Sequence, residues 1–473
     1  MRWGVAAFLF LASALGLAQE GGLAADFRRE SERLSDACGH FSPKSVPGCA
    51  YELFTDHPLH IAAASLPPQN GFGLGAAVVT YKNTPNWRID WNVDAIAAAS
   101  VINASSGAWR AGGYMKLIHT PKETIEVIHP GEPESAEKKH RNIPLVHPYT
   151  VFNLYAQSIS LNKLEFFGLG NDTTQVGESV FGMSETIVGG SVVKPIFEVP
   201  ALQRLHLSLR GEMNGRFFDI RGGEGSAPSI GTVYTNAQAP GLSSQPGFIQ
   251  FGEGLRIRPV IAGRLQLDYY GSFQQFVAPS NSDNSFLRWT VDLNHTFDLY
   301  GATRSVASET LGPDTCAPSG GDCPKISTSR NRRGAIGVRL LLSESRTSAT
   351  AAVPFYLQPT LGGSDINGAI ALGSYADYRF RAPNVLLLQE SFEHSLWGPF
   401  GVKLTADQGR VALTRGDLGF SHLKHSFAGG LTLRAGAFPM VNLLFAWGGN
   451  EGHHNIFTMD TSLLGASARP SLY

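Results

Sequence analysis

Apolar and polar positions alternate with a period of two over much of this chain. From Leu287 to Leu299 (LRWTVDLNHTFDL), apolar or aromatic residues take almost every odd position and polar residues the even ones. That is the pattern of a strand with one greasy and one wet face. Asn86 to Asp94, Arg204 to Arg210 and Arg264 to Tyr269 repeat it, and similar stretches recur from Gly73 to Tyr81 through to Ile456 to Leu464. A soluble sandwich would alternate as well. Segments of about ten residues with Trp, Tyr or Phe near their ends instead fit lipid-facing strands with interfacial girdles. The pattern therefore predicts an all-β fold, a transmembrane antiparallel β-barrel of roughly 14 to 16 strands, over residues 71–473.

The polar stretches between the strands differ in length. The long ones, Pro121 to His147, Gly222 to Gln245, Gly301 to Arg333 and Leu361 to Asn384, are assigned to the extracellular side. The short ones, Gly398-Pro399 and Gly436-Ala437, are assigned as periplasmic turns, following the loop asymmetry of bacterial barrels. Before the strands, Met1-Arg2 followed by apolar Val5 to Leu17 and the small residues around Ala18 read as a secretory signal peptide over 1–18. No later apolar run is long enough for a membrane helix, so a membrane form of this chain must be a closed barrel. Residues 19–70, with the charged run Asp26 to Asp36 and frequent Pro, read as a periplasmic lead-in or plug.

Composition sharpens this picture. Charged residues make up 16% and the net charge is -1, well under the roughly 25% charged content of ordinary soluble proteins; no nucleic-acid partner is indicated. The four cysteines fall in two close pairs, Cys38 with Cys49 and Cys316 with Cys323, which suits small disulfide loops in an oxidising compartment. Their spacing is poor for zinc, and no metal or other cofactor is expected. Enzyme signals are weak: His394 and Ser395 are neighbours and so point to opposite faces of a strand. His453-His454 reads as a solvated pair, and no phosphate loop or HExxH occurs.

In the C-terminal third, Leu361-Gly362-Gly363-Ser364-Asp365, Asp377 to Asn384, Leu386 to Gln389, Asp407-Gln408-Gly409-Arg410-Val411 and Gly429 to Arg434 follow one another in an order that resembles the barrel domain of the bacterial surface antigen family. This is the family of BamA- and TamA-type outer-membrane assembly barrels. Upstream, Phe166 to Asp172 (FFGLGND) resembles a Tyr-Gly-Leu-Gly-Asn turn of the same family. The resemblance covers about Phe166 to Leu464.

It implies a sixteen-stranded barrel in the bacterial outer membrane, without enzymatic activity, whose sixth extracellular loop folds back into the lumen. In the family, an Arg at the tip of that loop reaches an Asp-x-Gly motif on the wall. Asp407 and Gly409 match the wall motif, a carboxylate awaiting a cation beside a glycine that permits close backbone approach. The tip itself departs, because the Arg-Gly-Phe position falls on Gly373-Ser374-Tyr375. Arg379 or Arg381 is then the candidate cation for Asp407, the alternative being that both merely line a wet lumen. Two further positions depart, Thr405 in place of Phe and Ser391-Phe392-Glu393 in place of Glu-Tyr-Arg. Residues 19–70 are also too short for the family's periplasmic client-receiving domain.

The implied partners are outer-membrane lipid, unfolded outer-membrane proteins and a separate periplasmic protein. The rival reading is a passive channel or structural surface barrel without insertase activity; an outer-membrane hydrolase is a third. The first two differ in whether the strands at the N- and C-terminal seam pair weakly.

Overall fold

In a computed structural model of the chain, the residues described are 59–459 except 85, 99–106, 120–148, 197–204, 260, 262–263, 308–326, 397–399 and 436–437. The signal peptide, residues 19–58 of the lead-in and all four cysteines lie outside the described residues.

Alternation becomes pairing. The strands are β1 (Leu59–Ser65), β2 (Phe72–Asn83), β3 (Trp87–Ala98), β4 (Trp109–His119), β5 (Val151–Phe166), β6 (Ser179–Ile196), β7 (Leu207–Gly222), β8 (Phe248–Ile257) and β9 (Leu265–Val277). There follow β10 (Phe286–Ala307), β11 (Ser327–Arg346), the two-residue strands β12 (Thr360–Leu361) and β13 (Phe380–Arg381), then β14 (Asn384–Ser395), β15 (Phe400–Ala412), β16 (Lys424–Ala435), β17 (Phe438–Trp447) and β18 (His453–Met459). Sixteen of them form one antiparallel sheet in strict chain order, with β12 and β13 as a separate ribbon between β11 and β14. β1 and β18, the two ends of the sheet, come within contact distance of each other. Among the described residues no backbone ladder joins them. The first strand begins at Leu59, inside the stretch that reads from the sequence as lead-in.

Each strand sorts its residues by face, because successive side chains point to opposite sides. On β7, Leu209, Met213 and Phe217 are exposed on the outer surface. The alternate residue Arg216 is fully buried, giving Nη1 to Glu185 Oε1 at 2.9 Å and Nε to Gln250 Oε1 at 2.6 Å. On β10, Trp289, Val291 and Phe297 are exposed, and Leu293 shares their face between Tyr269 and Leu340. Asp292, on the other face, receives Nε and Nη2 of Arg339, each at 2.9 Å. An apolar exterior around a lumen of buried polar groups that hydrogen-bond to one another is the build of a transmembrane β-barrel.

Strand order corrects the loop assignment. Antiparallel neighbours reverse direction at every connection, so alternate connections emerge at opposite rims. The β7–β8 and β11–β14 connections, containing most of Gly222–Gln245 and Leu361–Asn384, share one rim. The β4–β5 and β10–β11 connections, which contain Pro121–His147 and the middle of Gly301–Arg333, share the other, with the short β14–β15 and β16–β17 turns. The four long segments therefore cannot all be extracellular; length alone does not set the side.

The connection between β11 and β14 turns inward. Val353, Phe355, Tyr356, Leu357 and Tyr378 bury against lumen-facing residues of β5 to β10, among them Phe166, Phe181, Phe248 and Phe276. Leu361, Leu372, Tyr375 and Phe380 form a second cluster with Leu341, Leu387 and Val411 of the wall. Five strands follow this loop, as the sequence motifs require.

Candidate functional site

The inward loop meets the barrel wall through its backbone. Asp407 on β15, 3% exposed, accepts the Leu372 N–H at 2.9 Å through Oδ2 and the Gln389 Nε2 amide at 3.1 Å through Oδ1. The same Gln389 nitrogen donates to the Ile370 carbonyl at 2.9 Å, and Ser426 on β16 accepts the Ser374 N–H at 2.8 Å. A buried carboxylate must have its lone pairs satisfied. Here two N–H donors do so in place of a guanidinium.

Two glycines make the approach possible. A Cβ on Gly409 would lie 2.8 Å from Leu361 Cδ1, and one on Gly373 would lie 2.6 Å from Ile456 Cδ1 on β18. Gly409 leaves the wall open to the loop at Leu361. Gly373 occupies the tip, where the loop passes closest to the last strand.

The two arginines go elsewhere, which corrects the expected pairing. Arg379, 1% exposed, grips Glu451 in the β17–β18 turn with Nη2 at 2.6 Å from Oε1 and Nε at 2.8 Å from Oε2. Its Nη1 donates to Thr173 Oγ1 and its Nη2 to the Thr173 carbonyl, both at 2.7 Å. The guanidinium lies between the rings of Phe167 and Phe380, at 4.9 and 4.8 Å. Arg381 donates to the Phe355 carbonyl at 2.7 Å and lies over the rings of Phe166 and Phe355. Both arginines join the loop to the Phe166–Asp172 turn, whose Gly170 N–H donates to the Arg381 carbonyl at 2.8 Å. Gly168 and Gly170 have φ of 93° and 108°, a backbone region that L side chains avoid. The turn motif and the loop motif, far apart in sequence, are two halves of one contact.

On the far side of the loop, the β1–β2 turn reaches β5. Asn70, 1% exposed, accepts the N–H groups of Asn162 and Lys163 at 3.0 and 3.1 Å and donates to the Lys163 carbonyl at 2.7 Å. Asn162 and Lys163 form a bulge in β5, two residues opposite the single Gly182 of β6, where the register shifts between Leu161 and Leu164, and a bulge leaves backbone groups without ladder partners. Gln69 beside it donates to Asp377 Oδ2 of the loop at 3.1 Å. Burial holds the Asp377 carboxyl above the usual carboxylate range, against the Ser364 N–H and the Gln69 amide, which favour the charged form.

Glu451, Ser426, Thr173 and Asn70 were not among the candidate residues of the sequence reading, and Gln389 stood there only as the end of a motif. Only Glu451 carried a signal, a single acid inside the glycine-rich turn Gly448-Gly449-Asn450-Glu451-Gly452. Thr405 lines a lumenal chamber of about 370 Å³ with Asp407, Arg339 and Lys403. Glu393 pairs with Lys403 at 3.5 Å. A larger chamber of about 770 Å³ lies between the loop, the β1–β2 turn, β5 and β18. His394 faces Tyr300, with Nδ1 2.6 Å from its hydroxyl. Among the described residues no grouping of His, Cys, Asp and Glu could hold a metal ion.

The class defined by this geometry is a sixteen-stranded membrane barrel with one of its own connections folded into the lumen and fastened to the wall. No protein-family profile matches the chain, and no curated protein matches it. Among solved structures the chain is similar to CdiB from Acinetobacter baumannii, with TM-score 0.45 and 10% identity over 85% of this chain and 60% of that one. It is similar to CdiB from Escherichia coli, with TM-score 0.49 and 11% identity over 85% and 62%. It is also similar to BamA from Haemophilus ducreyi lacking POTRA domains 1-3, with TM-score 0.44 and 9% identity over 85% and 68%. The chain spans less than two thirds of either CdiB chain.

Proposed function

We propose that this chain is a non-enzymatic outer-membrane barrel that acts in the assembly or translocation of other outer-membrane proteins. The apolar exterior supports the membrane setting, since only helices and closed barrels satisfy their backbone in lipid, and the signal-peptide pattern supports export. The order of the surface-antigen motifs supports the family reading, and the loop between the eleventh and twelfth sheet strands lies in the lumen as that resemblance implies.

The observation that carries the proposal is the seam. β1 and β18 touch without a ladder among the described residues, and unpaired strand edges are templates for an incoming strand. A passive channel needs neither a seam free to open nor a lumen filled by an apolar loop. The clients are unfolded outer-membrane proteins, delivered by a periplasmic partner. Depletion of the protein, followed by quantitation of the other outer-membrane barrels, tests this. Their loss is the expected result; unchanged barrel levels together with reduced small-solute uptake would establish the passive channel instead.

A further inference from the structure

Three arginines gather on the outer wall where β11 and β15 reach the rim of the lumenal loop. Glu344 and Arg346 close β11 on the face of exposed Ile336 and Val338, because every second residue of a strand shares a side. Register sets Glu344 opposite Trp289 and Arg346 opposite Leu287. From the β15–β16 connection, Arg415 reaches past β14 and gives Nε to Glu344 Oε2 at 3.1 Å, with 66% of its side chain exposed. Arg410 lies on the outward face of β15 with exposed Leu404. It is drawn to the same rim, its Nη1 donating to the Ser421 carbonyl and hydroxyl at 3.0 and 3.2 Å.

The cations outnumber the acids that could hold them. Among the described residues no hydrogen bond or ion pair reaches Arg346, which is exposed. Glu344 is held by Arg415, and Asp417 of the same connection accepts the Thr414 hydroxyl at 2.6 Å. Toward the midplane the wall turns apolar. Arg346 lies outermost on β11, then Glu344 beside Trp289, then Leu342 beside Val291 and Leu340 beside Leu293; Trp289 and Val291 are exposed. A Trp between a cationic tier and an apolar wall marks the headgroup level of a membrane protein. Gln275, exposed, stands across Leu287 from Arg346 and puts an amide at that level.

We propose that this surface holds a phosphorylated, acylated glycolipid of the lipid A kind, with a phosphate between Arg346 and Arg415, a sugar hydroxyl on Gln275 and acyl chains descending over Trp289 and Val291. The headgroup then lies at the rim and the chains run toward the midplane. A guanidinium presents a planar fork to phosphate oxygens, and a phosphomonoester carries a charge of about −1.5 to −2, against the single charge of a phospholipid diester. Two arginines therefore favour the monoester. The surface-antigen resemblance makes this rim the extracellular one, where the leaflet holds such glycolipids. The proposal rests on the membrane-barrel reading of the chain and on that orientation, but not on a role in assembly.

The test is native mass spectrometry of the full chain released from phosphatidylethanolamine nanodiscs that contain equal amounts of bisphosphorylated lipid A and phosphatidylglycerol. The wild type is expected to retain lipid A in excess over its bulk share, and dephosphorylated lipid A only at that share. Arg346→Gln combined with Arg415→Gln removes the excess, while Lys194→Gln, which deletes a cation near the opposite rim, leaves it in place. Heat-modifiability on gels checks that each variant is folded. No excess in the wild type, an equal excess of phosphatidylglycerol, or an excess that survives the double substitution overturns the proposal. So does loss of the excess in Lys194→Gln, which would make it an effect of overall charge, and so does a photo-crosslinker at Gln275 that captures a protein in place of lipid. Failure of the wild type to enter bilayers at all would instead refute the membrane-barrel reading, and the lipid site with it.

Discussion

Arg379→Ala should release the lumenal loop from the β17–β18 turn. The side chain is buried, holds Glu451 through two nitrogens, satisfies both oxygens of Thr173 and fills the space between Phe167 and Phe380. Removing one member of a buried ion pair costs about 3 to 5 kcal/mol, and a desolvated cation over a ring contributes about 2. These terms overlap. The Glu451 side chain also keeps 15% of its surface exposed, so it can recover some hydration once its partner is gone. The lower figure, about 3 kcal/mol, is therefore expected, which is roughly a hundredfold shift toward the undocked loop.

The assay is urea unfolding in detergent together with the rate of proteolysis within the loop, on single variants and on the double variant with Glu451→Ala. Residues in direct contact couple by about 0.5 to 3 kcal/mol, so the pair should fall well short of additivity. Arg379→Lys should recover only part of the loss, since an ammonium cannot reproduce the planar fork. Asp407→Ala, whose partners are the Leu372 N–H and Gln389, should add to Arg379→Ala without coupling. Strong coupling to Asp407 and additivity with Glu451 would refute this account of how the loop is held.

Epitope tags placed within residues 223–247 and within residues 308–326 should never be accessible from the same side of the membrane, because their connections lie at opposite rims; labelling of both on intact cells would refute the strand order. Leu293→Arg should destabilise the barrel by about 2 to 4 kcal/mol if the site lies near the midplane, measured by urea titration in lipid. Asp377 has its proton affinity raised by folding, so loop docking binds protons. Docking should be strongest below the ordinary carboxylate pKa of about 3.9 and weaken as pH rises through the raised value; protease resistance of the loop should follow that profile, and Asp377→Asn should flatten it. Asn70→Ala strips partners from the β5 bulge, at about 1 to 3 kcal/mol per stranded group. Hydrogen exchange should then quicken in β1 and β2 and stay unchanged in β14 to β16.

The strands were legible because a barrel wall writes itself as a period-two pattern: β10 could be read residue by residue, down to Asp292 inward and Phe297 outward. β1 was not, since Leu-His-Ile-Ala-Ala-Ala-Ser is short and its small residues barely alternate. Missing one strand removes the parity by which loops are assigned to rims, and loop length was then a poor substitute. The site was legible in its parts and not in its pairings. Asp407 and Gly409 stood out as a wall motif, but the donor that Asp407 meets is a backbone N–H, and a backbone N–H is the same at every residue that is not proline. Arg379 stood out as a candidate cation for Asp407, yet its acid lies in a turn beyond four further strands of the sheet. Sequence proximity suggested Asp407; the fold brought Glu451.

The distribution of contacts says which part of the barrel is free to move. The loop braces the wall from β5 round to β18: Phe355 and Arg381 on the β5 to β10 side, Leu372 and Ser374 on β15 and β16, Arg379 on the β17–β18 turn. Toward β1 its hydrogen bond is the one between exposed Gln69 and half-buried Asp377, and a single neutral donor open to competing water contributes about 1 kcal/mol. β1 to β4 are held to the rest by the β4–β5 ladder, by Asn70 in the β5 bulge, and by Leu66, Ile96 and the small side chains Ala62, Ala77 and Ala108 at the edge of the loop's apolar cluster. If the seam parts, the cheaper motion therefore carries β1 to β4 away from a wall that the loop keeps rigid, and it breaks the Gln69–Asp377 bond before any buried pair. A lumenal loop that fills the pore thus does not lock the seam: it stiffens one side of it and leaves the other hinged at the β5 bulge.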